Sequence, residues 1–228
     1  MNSTTEDLQQ VGKVSGGPCT QKQQTVLPSS MPLAIYESFS TLIQRLYVSA
    51  NGSPVRTVVV TAVHPESGVS YVSSCLSTLL AEKFGTTLLV DGHAVANLAR
   101  RRVVPMRSDC SSVRRSRLSV LGKAKAAEIV DHTGKKEESF QFVIESLLHE
   151  FEYVIVDAPA LSVSRVAQAL SPHVDGVLLV VVPNQTDIGD ICSARQKLVS
   201  TGGHLLGAIY NTTLDHSGAT TGPTPCND

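Results

Sequence analysis

Residues 57–70 read TVVVTAVHPESGVS: an apolar, β-branched run, a short loop holding Pro65 and Gly68, and then the start of a helix. A turn of this kind aims the free N–H groups of a helix N-terminus into the loop, and so makes a site for an anion. Loops that hold nucleotide phosphates follow GxxxxGK[ST]. Their backbone N–H groups cradle the oxygens, the lysine neutralises the β and γ phosphates, and the hydroxyl ligates Mg²⁺. Gly68 and Ser70 stand where that pattern needs them, but Val69 stands at the lysine and Val63 at the first glycine. A unit charge about 4 Å from a phosphate contributes about 4 kcal/mol at an effective dielectric of about 20. Valine in that place therefore costs on the order of a thousandfold in nucleotide affinity or turnover. A plain strand-to-helix turn is the other reading of the same stretch.

Asp91 and Asp157 are the next candidates. Each closes an apolar run, TLLVD and FEYVIVD, so each falls at the end of a strand. A carboxylate there can hold a Mg²⁺ water or activate a hydroxyl. The plainer alternative is that each aspartate caps the loop or helix that follows. His64, inside the loop, is either an exposed bystander or a partial substitute for the missing cation. His132, His149, His173, His204 and His216 lack metal-ligand spacing and are assigned no role.

These residues need elements to position them. Apolar residues recur at helical spacing after Pro32 (Tyr36, Phe39, Leu42, Ile43, Leu46), with Glu37 expected in the first turn, and again from Val72 to Phe84. Strands are expected at 57–61, 87–91, 151–157, 176–182 and 205–211, and a helix at 190–200. Alternating strands and helices predict an α/β domain: a doubly wound, mostly parallel sheet flanked by helices, with ligands at the carboxyl ends of its strands. Residues 1–31 form an expected disordered polar tail, 32–214 the domain, and 215–228 a flexible tail. The stretch 97–137 breaks the rhythm with Arg100, Arg101, Arg102, Arg107, Arg114, Arg115 and Arg117, and is expected to be an exposed, partly disordered basic insert. It serves either as a solvated loop or as a contact for an acidic partner or membrane headgroups.

Composition narrows the field. Nineteen Lys and Arg against twenty Asp and Glu give a net charge of -1, so the chain as a whole has no electrostatic reason to coat nucleic acid. Trp is absent and aromatics are 4%, which argues against a base-stacking surface. The apolar runs are far shorter than the ~20 residues a membrane helix needs, and the polar start lacks a basic-then-apolar leader, so a cytoplasmic protein is expected. Cys19, Cys75, Cys110, Cys192 and Cys226 are odd in number and scattered, which points to reduced thiols and no zinc site.

In order and spacing, YESFSTLIQRL, the 57–94 block, FEYVIVDAPA and the 175–211 block together resemble the cytoplasmic kinase module of bacterial tyrosine kinases for capsule and exopolysaccharide synthesis, over about residues 33–214. That family has a phosphate-loop fold related to the MinD and ParA ATPases, works beside a membrane chain-length regulator, and phosphorylates its own tyrosine-rich tail. The resemblance places Pro65, Gly68, Val69 and Ser70 on the phosphate loop and Asp91 on the second acidic motif. It places Asp157 with Pro159 on the third, and Asn211 near the adenine. Catalysis would then fall to Asp91 and Asp157, and Mg²⁺ to Ser70, Asp91 and Asp157.

The departures from the family are several. Val69 replaces the lysine, and Glu66 with Ser67 scrambles the usual Gly-Glu. His93 and Val95 replace an acid and an arginine, and Glu37, Ser40 and Ile43 retain only the acid of the ring-assembly motif ExxRxxR. Residues 214–228 hold no tyrosine, and only 66 positions separate the two strand-end acids. The resemblance with these losses implies a degenerate kinase, with weak or absent ATP and Mg²⁺ binding. Such a protein would act as regulator or scaffold for a membrane chain-length or export partner, peripheral to the membrane through that partner, with self-association left open. An active ATP-dependent tyrosine kinase of the same pathway is the alternative. A MinD-like or ParA-like positioning ATPase ranks third, because the loop lacks lysine and no amphipathic tail is evident.

Overall fold

The computed structural model describes residues 31–49, 55–101, 103–113, 116–128 and 139–212. Residues 1–30 and 213–228, and so all of the two expected tails except Met31, lie outside the described residues, together with 50–54, Arg102, Arg114, Arg115 and 129–138.

β1 (Thr57–Ala62) is buried along its whole length, which is what an unbroken β-branched run apolar on both faces requires. It lies between β5 (Tyr153–Asp157) and β6 (Gly176–Val181), parallel to both. β2 (Thr87–Asp91) pairs with β5 on one side and with β4 (Leu118–Leu121) on the other. β3 (Ser111–Ser112) adds an antiparallel edge, and β7 (Leu205–Tyr210) closes the opposite flank, giving the order β3-β4-β2-β5-β1-β6-β7. The sheet is therefore the mostly parallel, doubly wound one that the alternation predicts, and the order reverses around β1, where such sheets bind ligands.

Strand side chains alternate between two cores. Val58, Val60, Leu89, Ile155 and Leu178 pack with Phe39, Ile43, Leu76 and Leu79 of α1 (Leu33–Ser49) and α2 (Val69–Lys83). Val59, Leu88, Val90, Val156 and Leu179 pack on the other face, against α3 (Gly92–Arg101), α5 (Phe140–Glu150), α6 (Val166–Leu170) and α7 (Ile188–Ser200). α1 starts at Leu33, so Glu37 lies one residue beyond the first turn and not within it as expected. Lys83 of α2 joins the two helices, with Nζ 4.4 Å from the Tyr36 ring centre and 3.0 Å from Ser40 Oγ.

The reading of 97–137 as an irregular, exposed insert is corrected for its described part. α3 continues to Arg101, β3 and β4 extend the sheet, and α4 (Lys123–Glu128) packs on α3. Val103, Cys110, Leu118, Leu121 and Ala126 are buried. Two of the arginines are engaged internally. Arg117 donates to the carbonyls of Ala81, Glu82 and Phe84 at the carboxyl end of α2, and Arg101 donates to those of Ala126 and Ala127 at the end of α4. A guanidinium there satisfies orphan carbonyls and suits the helix dipole, so these charges are structural.

Candidate functional site

The loop between β1 and α2 turns on two left-handed residues, Glu66 (φ 62°) and Gly68 (φ 82°). Gly68 adopts that conformation without a Cβ penalty and directly precedes α2. The amino end of α2 thus opens onto a cleft of about 420 Å³ lined by residues 64–71, Asp91, His93, 157–160 and Val163. The candidates Pro65, Gly68, Val69, Ser70, Asp91 and Asp157 all meet in this cleft.

The loop is braced from within. Ser67 Oγ donates to the His64 carbonyl at 2.8 Å, and Asn211 Nδ2 donates to the Ser67 carbonyl at 3.0 Å. Asn211 is buried beneath the loop, with its own N–H on the Val181 carbonyl, and the cleft lining does not include it. The segment after β5 is laced to the same turn through Ala158 N to Val60 O, Leu161 N to Ala62 O, Ser162 N to Val63 O, and Thr61 Oγ1 to Pro159 O.

Asp91 and Asp157 occupy the same rung of the β2–β5 ladder. Their surroundings differ. Asp91 Oδ1 accepts the N–H groups of His93 at 2.7 Å and Ala94 at 3.1 Å, so this carboxylate caps α3, the plainer of its two predicted roles. Burial pushes the Asp157 carboxyl up to about 6; a hydrogen bond from Ser70 pulls it down, and the charge of Asp91 adds to the rise. Ser70, predicted to face Mg²⁺, lines the same cleft as Asp157.

Val69 lines the cleft and also packs against the α1–α2 core. Among the described residues lining the cleft there is no lysine or arginine, while Glu66, Asp91 and Asp157 contribute three carboxylates. His64 is not a bystander. Its Nε2 lies 3.1 Å from Asp190 Oδ2 in the first turn of α7, which ties the loop to that helix. Asp190 is the site-associated residue that sequence reasoning missed, because 126 positions separate the pair and no local motif announces it. The cleft offers a triphosphate the backbone N–H groups of a helix end but no cation, and its carboxylates repel the phosphates.

No family model matches the chain. Among curated proteins it is similar to the putative tyrosine-protein kinase CapB of Staphylococcus aureus, 20% identical over 191 residues that cover 78% of this chain and 84% of that protein. It is similar also to the tyrosine-protein kinase CpsD of Streptococcus pneumoniae serotype 4, 22% identical over 179 residues, with 72% and 79% covered. Among solved structures, the chimerical protein CapA2B2 superimposes with a TM-score of 0.64 at 22% identity, covering 81% of this chain and 86% of that one. The kinase domain of the Escherichia coli tyrosine kinase ETK gives 0.65 at 16% identity, with 84% and 80% covered. The septum site-determining protein MinD complexed with Mg-ADP, from Pyrococcus horikoshii OT3, gives 0.51 at 19% identity, covering 68% and 70%. The fold is that of the phosphate-loop kinases and MinD-type ATPases, as the sequence implied. Among the described residues, no helix is long and apolar enough to cross a membrane.

Proposed function

We propose that this relative of the capsule and exopolysaccharide tyrosine kinases is a degenerate kinase. It keeps the domain as a binding platform for a membrane chain-length or export partner and transfers phosphate weakly or not at all. The observation that carries the reading is the cleft lining, in which Val69 takes the cation's place and the described residues supply three carboxylates and no lysine or arginine. Asp91 is engaged through Oδ1 in capping α3. The carboxylates and the Ser70 hydroxyl are oxygen donors of the kind Mg²⁺ takes, so the misfit of this set is to the triphosphate, and no chemical step is routed through either.

The kinase names of the sequence relatives favour a second reading: an active ATP-dependent tyrosine kinase whose missing cation comes from its partner. Calorimetry of the full chain with Mg-ATP, alone and with the cytoplasmic segment of a candidate partner, separates the two. The degenerate reading expects weak binding or none in either case, the active-kinase reading expects tight binding with the partner, and no binding there at millimolar nucleotide eliminates the latter. Transfer of labelled phosphate to tyrosine that Asp157→Asn abolishes would overturn the degenerate reading.

A further inference from the structure

The groove between α6 and α7 carries charge that neither the fold nor the cleft uses. It encloses about 650 Å³ and is lined by Leu161 and Arg165 of the segment before α6, Gln168 and Ala169 of α6, Pro172 of the turn after it, and Lys197 and Thr201 of α7. Close packing fixes its floor. Ser171 Oγ lies 2.9 Å from Thr201 Oγ1, and each hydroxyl also lies 2.8 Å from a carbonyl, that of Gln168 or Leu198. Gly202, left-handed at φ 88°, and Gly203 bring the end of α7 onto this floor, where a Cβ on Gly203 would stand 2.5 Å from the Ser171 side chain. Contacts within the chain thus set the width of the groove, and fixed walls spare a ligand the cost of ordering them.

The floor gives a height at which to place the two cations. Lys197 stands one turn before Thr201 and Arg165 six residues before Ser171, so they lie on opposite walls about 6 and 9 Å above the hydroxyl contact. Among the described residues neither has a carboxylate or carbonyl partner, whereas Arg56, Arg101 and Arg117 are each bonded to carbonyls at a helix end. No acid lines the groove. Asp190, two turns before Lys197 on the same face of α7, is paired with His64. A chain with a net charge of -1 thus keeps two cations facing one groove, where they repel each other unless an anion lies between them. Leu161, Ala169 and Pro172 add apolar surface to the same walls.

We propose that this groove binds an acidic polypeptide segment of the partner, with its carboxylates on Arg165 and Lys197 and an apolar side chain against Ala169 and Pro172. The inference gives the partner of the platform reading its chemistry and rests on that reading. The dimensions favour a chain over a small anion. From Arg165 to Pro172 the wall runs about 11 Å, the length of about three extended residues. A free phosphate would meet the cations and leave the apolar wall uncovered.

Fluorescence anisotropy of a labelled peptide of alternating glutamate and alanine, with its glutamine counterpart as control, tests the inference on the full chain. Arg165→Glu and Lys197→Glu are each expected to weaken binding of the glutamate peptide about tenfold. Both positions are exposed, so each variant is expected to melt as the unaltered chain does, and the neutral pair Arg165→Gln with Lys197→Gln gives the same readout if a reversed charge disturbs the fold. Arg195→Glu makes the same change of net charge on the opposite face of α7 and is expected to leave the affinity unchanged. Phosphate is expected to displace the peptide no better than chloride at equal ionic strength. No binding at millimolar peptide, equal affinity for the glutamine peptide, an equal loss in Arg195→Glu, or preferential displacement by phosphate overturns the inference. The two readings fail separately: tight Mg-ATP binding would sink the degenerate kinase while these affinities stood, and their loss would sink the groove while the cleft still refused nucleotide.

Discussion

The two ends of the sheet are built on opposite electrostatic terms. At the amino end, Asp175, Arg56 and Glu152 all have partners. Asp175 Oδ2 accepts from Arg56 N, Thr57 N and Thr57 Oγ1 at 2.7 to 2.9 Å. The Arg56 guanidinium donates to the carbonyls of Leu148, Phe151 and Glu152 at the end of α5, and Glu152 Oε1 accepts from Thr86. At the carboxyl end, three carboxylates face one cleft, no described lysine or arginine joins them, and one of the three is held well above its ordinary range. At the carboxyl end, burial and the neighbouring Asp91 charge disfavour the ionised Asp157 carboxylate, at some cost to stability.

Returning a cation to the carboxyl end would test that contrast most directly. Val69→Lys is expected to raise Mg-ATP affinity by up to about a thousandfold if charge is the main deficit, as read by calorimetry. No change would mean that the acids, and not the missing lysine alone, close the site to nucleotide.

The next two substitutions should have opposite signs. Asp175→Ala strands two backbone donors and a hydroxyl at the start of β1 and is expected to cost about 2–3 kcal/mol in urea unfolding. Asp157→Asn removes a partly buried carboxylate and is expected to stabilise the chain at pH 7. With the native carboxyl at about 6 and the unfolded one near 4, the folded state binds the extra proton. Stability from this group is therefore complete below about pH 4, falls as pH rises to about 6, and stays reduced above that by on the order of 3 kcal/mol. Unfolding curves across that window should slope downward for the unaltered chain and flatten in Asp157→Asn.

The smallest effect is expected at the bridge between the cleft and α7. His64→Ala should cost about 0.5 kcal/mol, because both partners are half exposed. Amide exchange in residues 64–68 should nevertheless quicken more than elsewhere, and an unchanged loop would mean that Ser67 and Asn211 hold it without the histidine.

Much of this was legible in the sequence, for physical reasons that differ by region. β1, the turn and α2 could be read because a fully buried strand and a helical period leave long, regular patterns. The strand-end acids could be read because each closes such a run. The region from Val103 to Glu128 could not. β3 is two residues, β4 four and α4 six, all below the length at which periodicity shows. Arg101 and Arg117 look like surface charge until their carbonyl partners are seen, one of them on a different helix 36 positions away. Within the site the sequence supplied the members but not their pairing. Nothing local distinguishes Asp91, turned to the backbone of α3, from Asp157, turned to Ser70. The bond from Asn211 to the Ser67 carbonyl spans 144 positions and exists only through the sheet.

That last bond has a consequence for how the protein meets its surroundings. Side chains of the chain itself, Ser67 and Asn211, brace the turn at the top of β1. On the proposed degenerate reading, a protein that recognises this end of the domain meets the same relief whether the energy charge of the cell is high or low. Its docking would be governed by how much of each protein is present, and not by a cycle of loading and discharge.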